Sequence, residues 1–154
     1  LEGWSKTYCM TGWRLGWSIW PDTLIEHANK ICVNYNSCAT SISQYAGLEA
    51  IKGSQKEITK IVYEFQKRKE YVFSELNKLD KISCFEPGGA FYAFPNITKT
   101  GLNGNKFSEM ALEEKGVALV PGASFGDNAN EFVRISFANS LENIKEAIER
   151  LSTI

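Results

Sequence analysis

A stretch near the start of the chain, Trp4-Ser5-Lys6-Thr7-Tyr8-Cys9-Met10-Thr11-Gly12-Trp13-Arg14-Leu15-Gly16, places two cations among aromatic and hydroxyl side chains. Within it, Arg14 lies between Trp13 and Leu15, where the pattern predicts a buried position. A buried cation costs on the order of several kcal/mol unless an anion meets it, and the planar guanidinium of arginine suits phosphate and carboxylate groups in particular. We therefore expect this stretch to bind an anionic ligand.

Arg134 is a second arginine in an apolar setting, because it interrupts the strand-like run of residues 132–137. By contrast, Arg68 and Arg150 lie among lysines and glutamates, as residues of solvated helix faces do. An arginine held rigidly on a strand can orient a substrate carboxylate. It can equally form a salt bridge with a buried Glu or Asp, and the sequence leaves both interpretations open.

Lys6 lies between two hydroxyl residues and beside aromatic ones. A lysine in such a setting, with Arg14 nearby, can serve as an amine nucleophile for carbonyl compounds. The hydroxyls of Ser5, Thr7 and Thr11 offer hydrogen bonds to a phosphate monoester next to the guanidinium. The simpler interpretations are a solvated surface lysine and a set of turn-forming residues at the end of a strand.

Composition narrows the class of protein. The 154 residues are 44% hydrophobic and 12% aromatic, as in ordinary globular proteins. The net charge of -1 comes without a basic stripe, which argues against a nucleic-acid partner. No apolar run approaches the ~20 residues of a spanning helix, and the first residues of the sequence show no basic segment followed by an apolar stretch, so we expect no membrane attachment. The four cysteines have no metal-ligand spacing, and we interpret them as reduced thiols of a cytoplasmic protein.

Hydrophobic periodicity predicts three elements in the first third of the chain. Residues 13–20 are almost entirely apolar and predict a buried strand. A helix is expected over residues 22–30 with Asp22 as its N-cap, and another over residues 41–52, ended by Gly53. The apolar positions of this second helix recur every third residue, at Tyr45, Leu48 and Ile51.

The longest predicted helix covers residues 54–79, because Ser54 and Glu57 match a capping box and the apolar residues keep one face. Those apolar residues are Ile58, Ile61, Phe65, Val72, Leu76 and Leu79. After it, the order β-β-α-β-β-α predicts a small αβ domain. Its strands are expected at residues 82–85, 90–95, 117–120 and 132–138, and its helices at residues 105–115 and, capped by Ser140, through Leu151.

Four segments together resemble the C-terminal part of fold-type I pyridoxal-phosphate-dependent aminotransferases, in particular the aspartate aminotransferase-like class I/II enzymes. The most specific is residues 5–16, which resembles the Schiff-base signature of that family. The others follow in the family's order: Glu86-Pro87-Gly88-Gly89-Ala90-Phe91-Tyr92, Val120-Pro121-Gly122-Ala123-Ser124-Phe125-Gly126 and Val133-Arg134-Ile135-Ser136-Phe137-Ala138. The resemblance covers essentially all 154 positions.

The resemblance implies a role for each of the polar residues singled out above. Lys6 would be the catalytic lysine that binds pyridoxal 5′-phosphate covalently, and Ser5 and Arg14 would hold the cofactor phosphate. Arg134 would grip the α-carboxylate of the substrate. The substrates implied are an α-amino acid and a 2-oxo acid, between which the enzyme exchanges an amino group.

The resemblance also implies an α/β fold with a particular domain organisation. Residues 1–53 would be the C-terminal end of the large, cofactor-binding domain, residues 54–80 a long interdomain helix, and residues 81–154 the small C-terminal αβ domain. Members of the family carry a long N-terminal portion as well, so we expect a fragment that is inactive alone and forms a homodimer when complete. A pyridoxal-phosphate-dependent lyase of the same fold and a non-catalytic fragment are the alternatives.

Overall fold

The computed structural model describes residues 1–154, which form two compact units, Leu1–Ile61 and Val62–Ile154. The helices are α1 (Trp4–Thr7), α2 (Asp22–Tyr35), α3 (Ser41–Lys52), α4 (Lys56–Leu76), α5 (Gly104–Lys115) and α6 (Leu141–Leu151). The strands are β1 (Glu2–Gly3), β2 (Gly16–Trp17), β3 (Tyr92–Ala93), β4 (Val120–Pro121) and β5 (Val133–Ser136). None of the helices combines the length and hydropathy needed to cross a membrane.

Small residues on α3 organise the first unit. Ser43 and Gly47, one helical turn apart, are buried against the segment that carries Lys6. A side chain at position 47 would collide with Leu15 Cδ2 and come within 3.2 Å of the Trp4 ring. The helix therefore packs by close backbone approach rather than by large apolar side chains.

The prediction of a buried strand over residues 13–20 is wrong. Only Gly16–Trp17 is extended, and it pairs with Glu2–Gly3 alone. Arg14 breaks the extended run because its backbone is left-handed, with φ 53°. No further strand covers the segment within this unit, so Trp20 stays 45% exposed. Arg14 is exposed as well, contrary to the buried position expected for it.

The helices of the first unit form where the sequence predicts them, with corrections to their ends and faces. The helix predicted over residues 22–30 continues to Tyr35, and Pro21, not Asp22, is its N-cap. Asp22 instead lies in the first turn, where its carboxylate interacts favourably with the positive end of the helix dipole. α3 has the predicted bounds, but its recurring apolar residues lie on the exposed side. These residues are Tyr45, Leu48 and Ile51.

Gly53 ends α3 for a different reason than a left-handed cap. Its backbone is extended, with φ -72° and ψ -176°. A Cβ at this position would lie 2.6 Å from the carbonyl oxygen of Glu49, closer than atoms can approach. The glycine is therefore required by the close approach of the chain to the end of the helix.

α4 begins in the first unit and continues into the second. It is shorter at both ends than the predicted 54–79. Ser54 Oγ accepts only a long hydrogen bond of 3.4 Å, from the Lys56 amide, so the expected capping box with Glu57 is not formed. Val72 and Leu76 enter the core, which confirms the predicted inner face of the helix in its second half.

The second unit is a three-stranded antiparallel sheet, in the order β3-β5-β4, with helices packed on one face. Alternate residues of a strand point to opposite faces, and Val133 on β5 is fully buried among the helices. The predicted strand at 82–85 is reduced to a single bridge between Ser83 and Asn96. The two predicted helices are confirmed, and Ser140 Oγ accepts a hydrogen bond of 3.2 Å from the Asn143 amide as the N-cap of α6.

Candidate active site

Lys6 lies on α1, a helix of a single turn. The turn is held in place by Trp4, whose amide donates to the Leu15 carbonyl (3.3 Å) and whose indole Nε1 donates to the Gly47 carbonyl (3.1 Å). After the turn, the amide of Cys9 donates to the Lys6 carbonyl at 3.3 Å. The backbone of Lys6 is thus fixed from both sides, while its side chain is exposed.

Arg14 closes the same segment. Its Nη1 donates a hydrogen bond of 3.1 Å to the Thr11 carbonyl, and the preceding carbonyl, of Trp13, accepts one of 2.8 Å from Ser43 Oγ. No Asp or Glu forms an ion pair with Arg14. A guanidinium has five N–H donors, so most of those on Arg14 can serve an external anion.

Ser5, Lys6 and Arg14 are brought into one closed loop, residues 4–15. The loop is closed by the pairing of Gly3 with Gly16 and by the hydrogen bond from the Trp4 amide to the Leu15 carbonyl. Ser5 is half-buried and adjacent to the lysine on α1. An amine, a hydroxyl and a guanidinium therefore belong to a single hydrogen-bonded element of the first unit.

Arg134 lies in the second unit, on β5, and its side chain points away from the core face that holds Val133. It is half-buried. Its guanidinium carbon lies 4.4 Å from the centroid of the Tyr92 ring and 4.7 Å from that of Phe125. No acidic side chain forms an ion pair with it, so the buried salt bridge considered as an alternative is not what holds Arg134.

The two aromatic contacts of Arg134 were not foreseen from the sequence. The signal for Tyr92 lies in strand alternation, because Tyr92 pairs with Ser136, two residues from Arg134 on the same face. Phe125 lies on a short 3₁₀ turn, Gly122–Phe125, where the sequence predicts only a loop. Nothing in local periodicity links that turn to β5.

Shifted pKa values occur in the core of the second unit and on the exposed face of α4. Burial raises the pKa of the Cys84 thiol, which lies in the core of the second unit. On the exposed face of α4, a hydrogen bond from Lys67 lowers the pKa of Glu64 and correspondingly raises that of Lys67. The four cysteines are all free thiols.

The sequence and fold match known proteins over nearly the whole chain. The family model for class I and II aminotransferases matches residues 1–151. The chain belongs to this family. Its loop around Lys6 and its sheet with Arg134 both lie inside the matched region.

Individual relatives agree with this assignment. The chain is 43% identical to the (5-formylfuran-3-yl)methyl phosphate transaminase of Methanocaldococcus jannaschii over 98% of its own length and 40% of the relative's. It is 38% identical to an aspartate aminotransferase of Pyrococcus abyssi, again over 40% of the relative. A crystal structure of an aromatic aminotransferase from Pyrococcus horikoshii superposes with a TM-score of 0.94 at 40% identity, covering 98% of this chain and 41% of that one. The chain thus spans about 40% of the length of the curated relatives it matches.

Proposed function

We propose that this chain carries the cofactor-anchoring and carboxylate-binding residues of a pyridoxal-phosphate-dependent aminotransferase, which transfers an amino group between an α-amino acid and a 2-oxo acid. The observation that carries the proposal is the closed loop of residues 4–15, in a member of the aminotransferase family, that joins an exposed amine to a guanidinium without an acidic partner. Relatives that match this chain are named aspartate, aromatic-amino-acid and N-acetyl-LL-diaminopimelate aminotransferases.

The donor set of the loop fits pyridoxal 5′-phosphate. The cofactor has an aldehyde, which a lysine amine can bind covalently, and a phosphate, which suits a guanidinium and a hydroxyl. Lys6 supplies the amine, Arg14 the guanidinium and Ser5 the hydroxyl. When bound, the cofactor acts as an electron sink that makes the α-proton of an amino acid acidic.

Each residue of the chain then has a definite task. Ser5 and Arg14 would hold the cofactor phosphate, independently of Lys6. The Lys6 amine would accept the proton from the substrate Cα as a general base, and the resulting ammonium would donate that same proton as a general acid. Arg134 binds the α-carboxylate and orients the Cα–H bond, which contributes alignment rather than chemistry.

The working enzyme is, in this proposal, a cytoplasmic homodimer, and the 154 residues alone bind the cofactor weakly or not at all. The free thiols are compatible with a reducing compartment. Exposed apolar side chains in the first unit support the expectation that further protein covers it. On helix α2, Ile31 is 66% exposed and Tyr35 is 89% exposed. Tight, stoichiometric binding of pyridoxal phosphate by the 154 residues would contradict this part of the proposal.

The test uses a chimera in which this chain replaces the matching part of the Pyrococcus horikoshii aromatic aminotransferase. Borohydride reduction in the presence of cofactor should attach the label to the peptide that contains Lys6, and Lys6→Arg should abolish the label. Lys30→Arg, at a surface lysine paired with Glu26, is the matched control and should leave it unchanged. Labelling of a different peptide would refute the assignment of Lys6. Product analysis with an amino acid and a 2-oxo acid separates amino transfer from a lyase reaction, in which no new amino acid forms.

A further inference from the structure

Two of the sequence segments singled out above, residues 86–92 and 120–126, have no task in the proposed function. Each segment contains one aromatic residue whose ring contacts the Arg134 guanidinium. Tyr92 ends the first segment on β3, and Phe125 lies near the end of the second, on the turn after β4. The guanidinium is therefore contacted by one ring from β3, which flanks β5, and by one ring from the turn that follows β4 on the other side of β5.

This guanidinium contacts two aromatic rings and has no polar partner in the protein. Among the four arginines, Arg150 forms an ion pair, with Glu146, and also donates to the Lys115 carbonyl. Arg134 has neither an acidic partner nor a hydrogen bond to the protein, and its guanidinium carbon lies within 5 Å of two ring centroids instead. Contact with a ring face stabilises a guanidinium without consuming its in-plane N–H donors. The bidentate edge that a carboxylate needs thus stays available.

The two rings are themselves fixed by the fold. Tyr92 is a strand residue whose partner is Ser136, and its ring packs on Phe91 with centroids 4.4 Å apart. The ring of Phe125 meets that of Phe94 edge-on, with centroids 5.8 Å apart and planes at 83°. Phe94 in turn stacks on Phe132 at 5.3 Å.

The turn that carries Phe125 is anchored by backbone contacts. At its start, the Gly122 amide donates to the Phe132 carbonyl at 2.8 Å, and a side chain at position 122 would collide with the Ala129 carbonyl oxygen. At its end, Gly126 has φ 142°, a conformation that a residue with a Cβ rarely adopts. The glycines on either side of Phe125 therefore set where its ring lies.

We infer that Tyr92 and Phe125 are positioning residues that hold the Arg134 guanidinium between their ring faces, with its donors left for the substrate carboxylate. The inference rests on the carboxylate role of Arg134 under the proposed function. An acidic partner would compete with the substrate carboxylate for the N–H donors of Arg134. The two ring contacts hold the side chain without that competition. The long side chain is ordered before the ligand arrives, which lowers the entropy cost of binding.

The test uses the chimera described under the proposed function, the NMR signal of the Arg134 side-chain Nε–H proton, and pyruvate as the carboxylate probe. Ring currents should shift the Arg134 signal upfield of that of Arg150. In the double variant Tyr92→Leu/Phe125→Leu the signal should move back toward the position of Arg150. Affinity for pyruvate should fall about threefold to tenfold, the loss expected when one long side chain must be ordered on binding. The conservative pair Tyr92→Phe and Phe125→Tyr should keep both the shift and the affinity.

Tyr63→Leu is the matched control, because the Tyr63 ring lies 4.4 Å from Lys67 Nζ on the exposed face of α4 and is equivalent in chemistry. It should alter neither readout. Suppose that Arg134→Gln weakens pyruvate binding but the Tyr92→Leu/Phe125→Leu variant keeps the wild-type signal and the wild-type affinity. The positioning role of the two rings would then be wrong, while the carboxylate role of Arg134 would stand. If Arg134→Gln leaves pyruvate binding intact, the carboxylate role itself is wrong, and the positioning role falls with it.

Discussion

The two units of this chain use their apolar residues in opposite ways. In Val62–Ile154 the large apolar side chains meet in one core, and Phe107, Phe137 and Leu76 are at most 1% exposed. In Leu1–Ile61 the buried hydrophobic residues are Met10, Leu15 and Ala28, and most of the larger ones lie at the surface. The first unit is held by backbone approach and hydrogen bonds, the second by hydrophobic burial.

The difference shows that an apolar pattern can predict where a helix forms without predicting which face of that helix is buried. In α3 the apolar positions predict the helix with correct bounds, yet the packed face consists of Ser43 and Gly47. In α4 the same type of pattern predicts both the helix and the residues Val72 and Leu76 that enter the core. Four experiments can break or sharpen this contrast.

Truncation of a core ring should have the largest effect. Phe137→Ala removes a ring that is 1% exposed and whose centroid lies 6.4 Å from that of Phe65. The expected loss is about 3–5 kcal/mol in the free energy of unfolding, because the cavity cannot fully collapse. Tyr45→Ala in the first unit, at a position 76% exposed, should stay within about 0.5 kcal/mol. Urea denaturation followed by circular dichroism measures both, and equal losses would remove the contrast between the units.

Substitution of Arg134 tests whether the sheet face opposite the core contributes to ligand binding rather than to stability. In the chimera, Arg134→Ala should raise KM and lower kcat together, since a lost charge-assisted contact costs about 2–5 kcal/mol and alignment is lost with it. The melting temperature should hardly change, because the side chain lies opposite the core face. Arg134→Lys should recover part of the activity only, as a point charge cannot reproduce paired donors. Near-normal kinetics in a destabilised protein would show that Arg134 is structural.

Gly47 tests whether close approach, rather than hydrophobic burial, holds the first unit. Gly47→Ala should destabilise it by about 1–3 kcal/mol, because the added methyl group collides with Leu15 Cδ2 and crowds the Trp4 ring. Gly12→Ala is the matched control, since nothing lies within 4 Å of a Cβ at that position. Amide hydrogen exchange in α3 and α1 is the measurement, and equal protection in both variants would count against packing by close approach.

Cys84 provides the smallest effect, through pH. Burial raises the pKa of its thiol in the folded state, so the unfolded chain loses this proton first as pH rises. The contribution to stability is complete below about pH 8.5, the ordinary pKa of cysteine, and is lost as pH rises through the folded value. Cys84→Val should therefore show a shallower loss of stability above that pH, whereas Cys32→Ser, at an exposed thiol, should follow the wild type. Parallel curves for Cys84→Val and wild type would contradict the assignment.

Helices were the part of the fold that the sequence predicted best. α3, α5 and α6 agree with their predicted ranges to within a residue, because capping residues and glycines mark their ends locally. Strands were overestimated. The apolar run at 13–20 predicts a buried strand, but a strand needs partners that no local pattern can supply, and only Gly16–Trp17 found one.

The candidate site was predicted residue by residue from the resemblance, but its surroundings were not. Arg14 and Arg134 were expected at buried positions, and the structure shows one exposed and one half-buried between rings. The sequence could not show that Phe125, on a turn, reaches β5, because that contact depends on Gly122 and Gly126 fixing the turn. The roles of Lys6, Ser5, Arg14 and Arg134 stay predictions.

All four tryptophans, Trp4, Trp13, Trp17 and Trp20, belong to the first unit, and the second unit contains none. Intrinsic tryptophan emission excited at long wavelength therefore reports on Leu1–Ile61 alone. The only thiol of Val62–Ile154 is Cys84, which is buried and becomes reactive only when that unit opens. A fluorescence trace and a thiol-reagent trace, recorded on one unlabelled sample, thus follow the two halves of the chain as separate optical and chemical signals.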